Sequence, residues 1–150
     1  MDPTKKELYT AKRPSGLDTS SPELATLVQA FRSDEDATNW LVFKVAGSSV
    51  AAHGSGSDGL VGLLDALNDE DVYYAALRCS IGGMVKFYHI YFVGENVGGL
   101  KKGKACLFKP AVFGLVDAHG EVSCVDGKDE CTEQFVRGAI SKLCAGELLC

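Results

Sequence analysis

The chain has 150 residues, 46% of them hydrophobic, with 20 acidic side chains against 15 lysines and arginines and a formal net charge of −5. That length suits one domain with a substantial core, and an acidic balance argues against a nucleic-acid binder, which needs a broad basic surface. No apolar run approaches the roughly 20 residues of a membrane span, and the polar start MDPTKKELYTAKR lacks the apolar centre of a secretory signal, so a monomeric cytoplasmic protein is expected.

In chain order, residues 1–19 carry charge, Thr, Ser and Pro without periodic apolar positions. They predict a flexible extension ahead of a single domain over residues 20–146, with 147–150 as a short tail. Ser21 suits an N-cap with Pro22 at the first helical position, and Leu24, Leu27, Val28 and Phe31 form the i, i+3, i+4, i+7 stripe of a core-facing helix. Trp40, Val42 and Phe43 mark a strand over residues 38–45, Gly47-Ser48-Ser49 a turn, and residues 50–53 its partner, with residues 54–58 as a loop. Leu60, Val61, Leu64 and Leu67 predict a second helix ended by Asn68 and Asp69. Residues 72–81 and 84–93 are rich in β-branched and aromatic side chains, and Gly82-Gly83 between them supplies the positive φ angles of a tight hairpin. Pro110, read as a first-turn proline, predicts a third helix from Lys109 onward. A short strand over 121–125 and a last helix to about Leu143, with Phe135, Val136, Ile140 and Leu143 inward and Gly146 near its stop, complete the order. This succession predicts an α+β fold of the α/β/α sandwich type, a sheet with helices on both faces.

Charge is segregated along the chain. Five lysines, Lys86, Lys101, Lys102, Lys104 and Lys109, face a single acid, Glu95, between residues 84 and 109, whereas residues 58–71 hold five acids and no base. A basic patch on an acidic protein steers it toward one acidic partner surface. Gly98 to Lys104 also satisfies G-x-x-x-x-G-K, but Ala105 follows where a phosphate-binding loop needs the hydroxyl that holds magnesium. The six cysteines include no Cys-x-x-Cys and the three histidines lack ligand spacing, so no metal, cofactor or catalytic centre is expected and the thiols are read as reduced.

Phe31-Arg32-Ser33-Asp34 leading to Trp40 and Val42-Phe43-Lys44, then Lys86-Phe87, and above all Val93-Gly94-Glu95-Asn96-Val97-Gly98-Gly99-Leu100 resemble the coactosins, members of the actin-depolymerising-factor homology (cofilin-like) family, over residues 24–146. The resemblance implies a mixed five- or six-stranded sheet flanked by about four helices. It also implies binding to the sides of actin filaments without catalysis or strong severing. The alternatives are a cofilin-type monomer binder or severing protein, or an adaptor for a partner other than actin. It assigns actin contacts to Lys86, to the basic segment Lys101, Lys102 and Lys104, and to Lys109 at the start of an actin-facing helix. Leu107, Phe108 and Val112 would add apolar contact, and Lys142 in the last helix is a further basic candidate. These groups are expected to present one continuous docking surface.

Overall fold

The computed structural model describes residues 16–144 and 148–149. Its elements in chain order are α1 (Pro22–Arg32), β1 (Trp40–Ala46), β2 (Ser49–Gly56), α2 (Gly59–Asp65), β3 (Val72–Ile81), β4 (Met84–Val93), α3 (Gly99–Phe113), β5 (Gly120–Cys124), α4 (Glu133–Leu143) and β6 (Leu148–Leu149). The strand order is β2-β1-β3-β4-β5, with β6 added beside the last residues of β3. Among the described strands only β4 and β5 pair in parallel, so the sheet they form is mixed and six-stranded, as expected.

The β3–β4 hairpin is its spine. Ten residue pairs run in unbroken register from Val72↔Val93 to Ile81↔Met84, and Gly82 and Gly83 turn the chain with φ of 59° and 83°, angles at which a side chain would be strained. Alternation sends successive side chains to opposite layers. Tyr73, Ala75, Leu77, Tyr88, Ile90 and Phe92 lie beneath Leu60 and Leu63 of α2 and Val136 and Ile140 of α4. Tyr74, Ala76, Phe87, Tyr91 and Val93 pack under Leu24 and Phe31 of α1 and Ala105 and Val112 of α3. Two helices cover each face, which is the sandwich the apolar pattern called for.

Helix α1 begins as the sequence indicates: the Ser21 hydroxyl accepts from the Glu23 N–H, and Pro22 occupies the first turn. Its C-terminus is held from the sheet. Arg78 Nη1 donates to the carbonyls of Phe31 and Ser33 at 3.1 Å each, its Nη2 pairs with Asp34, and both Arg78 and Arg32 lie over the Phe87 ring. A cation on the last carbonyls of a helix satisfies orphan acceptors and complements the dipole.

Besides Phe135 and Leu143, read as inward on the last helix but 43% and 52% exposed, four expectations change. Order begins before Ser20: Leu17 packs on the α1–α3 layer, and Asp18 bridges to Ser49, its N–H bonding Ser48 O at 2.8 Å and its carbonyl accepting from Val50 at 2.9 Å. The expected extension at residues 1–15 lies outside the described residues. Strand β2 continues through the glycines read as loop, because Gly54 and Gly56 pair with Val42 and Trp40 and the indole lies across them. A Cβ at Gly56 would sit 2.7 Å from Trp40 Nε1. In the expected tail, Leu148–Leu149 pair with Ile81 and Ser80, while the expected stop at Gly146 lies outside the described residues.

The fourth change bears on function. Helix α3 starts at Gly99, ten residues before the expected Lys109, and Pro110 stands in its last turns. The missing N–H of Pro110 leaves the Cys106 carbonyl without its helical partner, but both residues are exposed, so that carbonyl is open to solvent and not buried unsatisfied. Tertiary contacts outweigh the proline: Ala105 and Val112 are buried against the sheet, and the buried Tyr74 hydroxyl donates to Ala105 O at 2.8 Å. Gly98 to Lys104 is therefore helix rather than a phosphate-cradling loop, as the Lys102 N–H to Gly98 O bond shows.

His89 is a half-buried titratable side chain with a testable consequence for stability. Its ring stacks on Phe113 at 4.0 Å, and Nε2 donates to Val116 O at 2.6 Å. Burial depresses its pKa, opposed by the Val116 bond and the carboxylates of Glu121 and Asp117. The unfolded chain then binds more protons than the folded one below the ordinary histidine value of about 6.5, so stability declines as pH falls through that value toward the depressed folded one. The urea midpoint should drop between pH 7.5 and 5.5, and His89→Phe should reduce that drop. An equal drop in both proteins would remove His89 as the cause.

Candidate functional site

The loop that launches α3 explains the residues most characteristic of this chain. Gly94 N–H donates to Asp71 O at 3.0 Å, Asn96 N–H to Asp69 O at 2.9 Å, and the Asp69 carboxylate accepts the N–H groups of Glu95 at 3.1 Å and Lys128 at 2.8 Å. Asn96 Nδ2 also bonds Glu70 at 2.6 Å. Asp69 thus ties together the entry to β3, the exit from β4 and the loop before α4. The stretch Gly94-Glu95-Asn96 is a scaffold that aims α3.

Helix α3 has no side-chain cap at Gly98 and no acid in its first turn, while Lys101 and Lys102 stand near its positive end, an arrangement that costs helix stability. At 100° per residue, Ala105 and Val112 define the inward face, and Gly103, Leu107 and Pro110 fall opposite them. Leu100 and Leu107 are 78% and 74% exposed, and the exposed Lys102 and Lys104 stand on either side of this outward ridge. Neither lysine has an ion-pair partner among the described residues. An added Cβ at Gly103 would meet nothing within 4 Å, so the chain's own packing does not demand glycine there.

The remaining candidates are distributed otherwise. Lys101 bridges to Asp71 at 2.8 Å. Lys109 bonds Glu121 at 2.7 Å and lies 4.7 Å above the Tyr91 ring, so both are drawn toward the sheet. Lys101 and Lys104 also line a cleft of about 240 Å³ with Val45, Asp71, Tyr74 and Phe108. Phe108 is half-buried in the α1–α3 layer. Val112 is 0% exposed; it holds α3 to the sheet, which corrects its assignment as a contact residue. Leu100, an exposed companion of Leu107 one helical repeat away, lies ahead of the helix start expected at Lys109, so the sequence alone does not place it on that ridge.

Lys86 belongs elsewhere. It stands opposite Cys79, on the face of β4 that bears Tyr88 and Ile90, and those side chains lie in the α2–α4 layer. Helix α3 covers the other face. Lys142 is in the last turn of α4, whose end is on the same side: Leu143 Cδ1 comes within 3.0 Å of a Cβ placed at Gly120, the β5 residue paired with Tyr88. Exposed Met84 and Leu143 lie on this side as well. The expected continuous ridge is thus two surfaces, because alternation on β4 turns Lys86 away from α3.

The fold is a mixed sheet between two helical layers, and its family is shown by sequence. The family of cofilin/tropomyosin-type actin-binding proteins matches residues 16–141; the chain belongs to it. Within that family it is similar to coactosins. It is 34% identical over 101 residues to coactosin of Dictyostelium discoideum, covering 63% of this chain and 69% of that protein, and 26% identical over 121 residues to the coactosin-like protein of Bos taurus, covering 78% and 84%. The solution structure of mouse coactosin, an actin filament binding protein, superposes with a TM-score of 0.68 at 23% identity over 88% of this chain and 94% of that one. The chain spans 19% of the drebrin-like protein of Dictyostelium discoideum that it also matches.

Proposed function

We propose that this actin-binding chain docks on the sides of filaments through α3 and acts there by binding alone, without catalysis or strong severing. The observation that carries the reading is the outward ridge of α3, where Leu100 and Leu107 are exposed between Lys102 and Lys104. Exposed leucines cost solubility and gain value only when a partner covers them. Unpaired lysines beside them supply attraction and orientation toward an acidic surface, and Gly103 permits close approach of a partner's backbone. Lys101 and Lys109, already paired with Asp71 and Glu121, contribute less, since a partner must compete with an existing ion pair. Lys86 and Lys142 form a second contact on the other side of the sheet. The site of action is the cytoplasmic actin cytoskeleton, with the chain monomeric.

Co-sedimentation with purified filaments tests the reading. The chain is expected in the pellet at low salt and progressively less as ionic strength reaches physiological values, because exposed charge pairs are screened over about 8–10 Å. A chain that stays in the supernatant at every salt concentration refutes it. Shortened filaments or a preference for monomeric actin would favour the cofilin-type alternative. Lys86→Ala is expected to weaken pelleting by about tenfold with the fold intact, the order of one desolvated charge contact. Unchanged pelleting of the folded variant would restrict docking to α3.

A further inference from the structure

The cleft of about 240 Å³ beside α3 lies where one flank of that helix meets the sheet. Lys101, Lys104, Ala105 and Phe108 fall at i, i+3, i+4 and i+7, so they share one side of two successive turns. Across from them stand Val45 near the end of β1, Gly47 in the turn to β2, and Asp71 and Val72 at the entry to β3. Val45 and Phe108 are half-buried against the α1–α3 layer and both line the cleft. Tyr74 closes its inner end: the residue is 1% exposed, and its hydroxyl is committed to Ala105 O at 2.8 Å.

Charge at the mouth selects the ligand. Lys101 Nζ and the Asp71 carboxylate are 2.8 Å apart and cancel one another, while Asp71 also accepts the Val72 N–H at 2.8 Å, which fixes its place. Lys104 is exposed and has no ion-pair partner among the described residues, so the lining holds one uncompensated positive charge. A single anionic group satisfies it. A dianion would bring a second negative charge up to Asp71 with no free cation to meet it. The volume lies below the roughly 300 Å³ at which pockets for drug-sized ligands begin, which calls for a compact apolar body, and the rings of Tyr74 and Phe108 in the lining favour an aromatic one. We propose that this cleft is a binding site for a compact amphipathic monoanion, an aromatic carboxylate whose ring system lies against Phe108 and Val45 and whose carboxylate pairs with Lys104. The site belongs to the chain alone and does not rest on filament docking, so it is tested without actin.

2-Naphthoate is the probe, titrated into the full chain at low ionic strength and followed through backbone amide chemical shifts. Saturable shifts are expected at Val45, Gly47, Val72 and Phe108, with half-saturation at or below about 1 mM, ordinary for a ligand of this size. 2-Naphthamide keeps the rings and lacks the charge. It should bind about fivefold more weakly, the upper end for a partly exposed ion pair, and Lys104→Ala should lower naphthoate affinity by the same factor while leaving that of the amide unchanged. 2-Naphthyl phosphate, predominantly a dianion above neutral pH, should bind no better than naphthoate. Absence of saturable shifts, shifts centred away from α3 and the β1–β2 turn, equal affinity for acid and amide, tighter binding of the phosphate, or unchanged naphthoate affinity in the Lys104→Ala protein each overturns the proposal.

Discussion

Replacing Lys102 and Lys104 together by glutamate is expected to weaken filament co-sedimentation by about a hundredfold while leaving the fold at least as stable as before. Each reversal removes an attractive contact with an acidic surface and adds a repulsive one, about 1–1.5 kcal/mol per site at a partly desolvated interface, and each 1.4 kcal/mol is tenfold in affinity. Neither lysine has an ion-pair partner to lose among the described residues, so the folded chain forfeits no contact of its own. The helix itself gains, since Lys102 stands in an uncapped first turn without acids, where a carboxylate complements the dipole by about 0.3–1 kcal/mol. Loss of binding with an unchanged or slightly raised melting temperature distinguishes a docking surface from a folding defect. If the double variant pelleted normally, the α3 ridge would not be the contact.

Gly94→Ala is expected to have the largest effect on stability. A Cβ there would lie 2.4 Å from both the carbonyl carbon and the oxygen of Asp69 and 2.7 Å from its Cα. These are backbone atoms, which cannot rotate aside, and they belong to the residue whose carboxylate organises the Glu95 and Lys128 loops. Overpacking against a fixed backbone costs about 3 kcal/mol, a fall of roughly 6–12 °C in melting temperature for a chain of this size. Gly103→Ala supplies the contrast: with open space around its Cβ and a position within α3, it should stabilise by about 0.5–1 kcal/mol. Equal melting temperatures for the Gly94→Ala and Gly103→Ala proteins would refute this account of the loop.

Much of the scaffold was legible in the residues because its signals are local. Alternating β-branched and aromatic residues around Gly82-Gly83 specify a hairpin from neighbours along the chain, and Ser21-Pro22 ahead of the Leu24–Phe31 stripe specifies a helix start in the same way. Among the motifs that carry the resemblance to coactosins are Phe31-Arg32-Ser33-Asp34 and, within Val93 to Leu100, the stretch Gly94-Glu95-Asn96, and the structure shows why these residue types stand there. The first stretch ends a helix whose carbonyls bind Arg78, and the second packs on Asp69. Both hold the frame on which a site is displayed. Neither is itself the exposed ridge.

The sequence by itself determined the layered α+β class, the central hairpin, the family and the concentration of lysines between residues 86 and 109. Only the tertiary structure decided where those lysines point. Helix α3 begins at Gly99 because the Asp69–Asp71 loop positions its first turn and the sheet buries Ala105 and Val112 beneath it, contacts between segments far apart in the chain that outweigh a local proline preference. The same packing takes Val112 out of reach of any partner and pairs Lys101 and Lys109 with Asp71 and Glu121. Lys86 is sent to the opposite layer by the two-residue period of its strand, a consequence visible only once it is known which face of β4 the helix α3 covers.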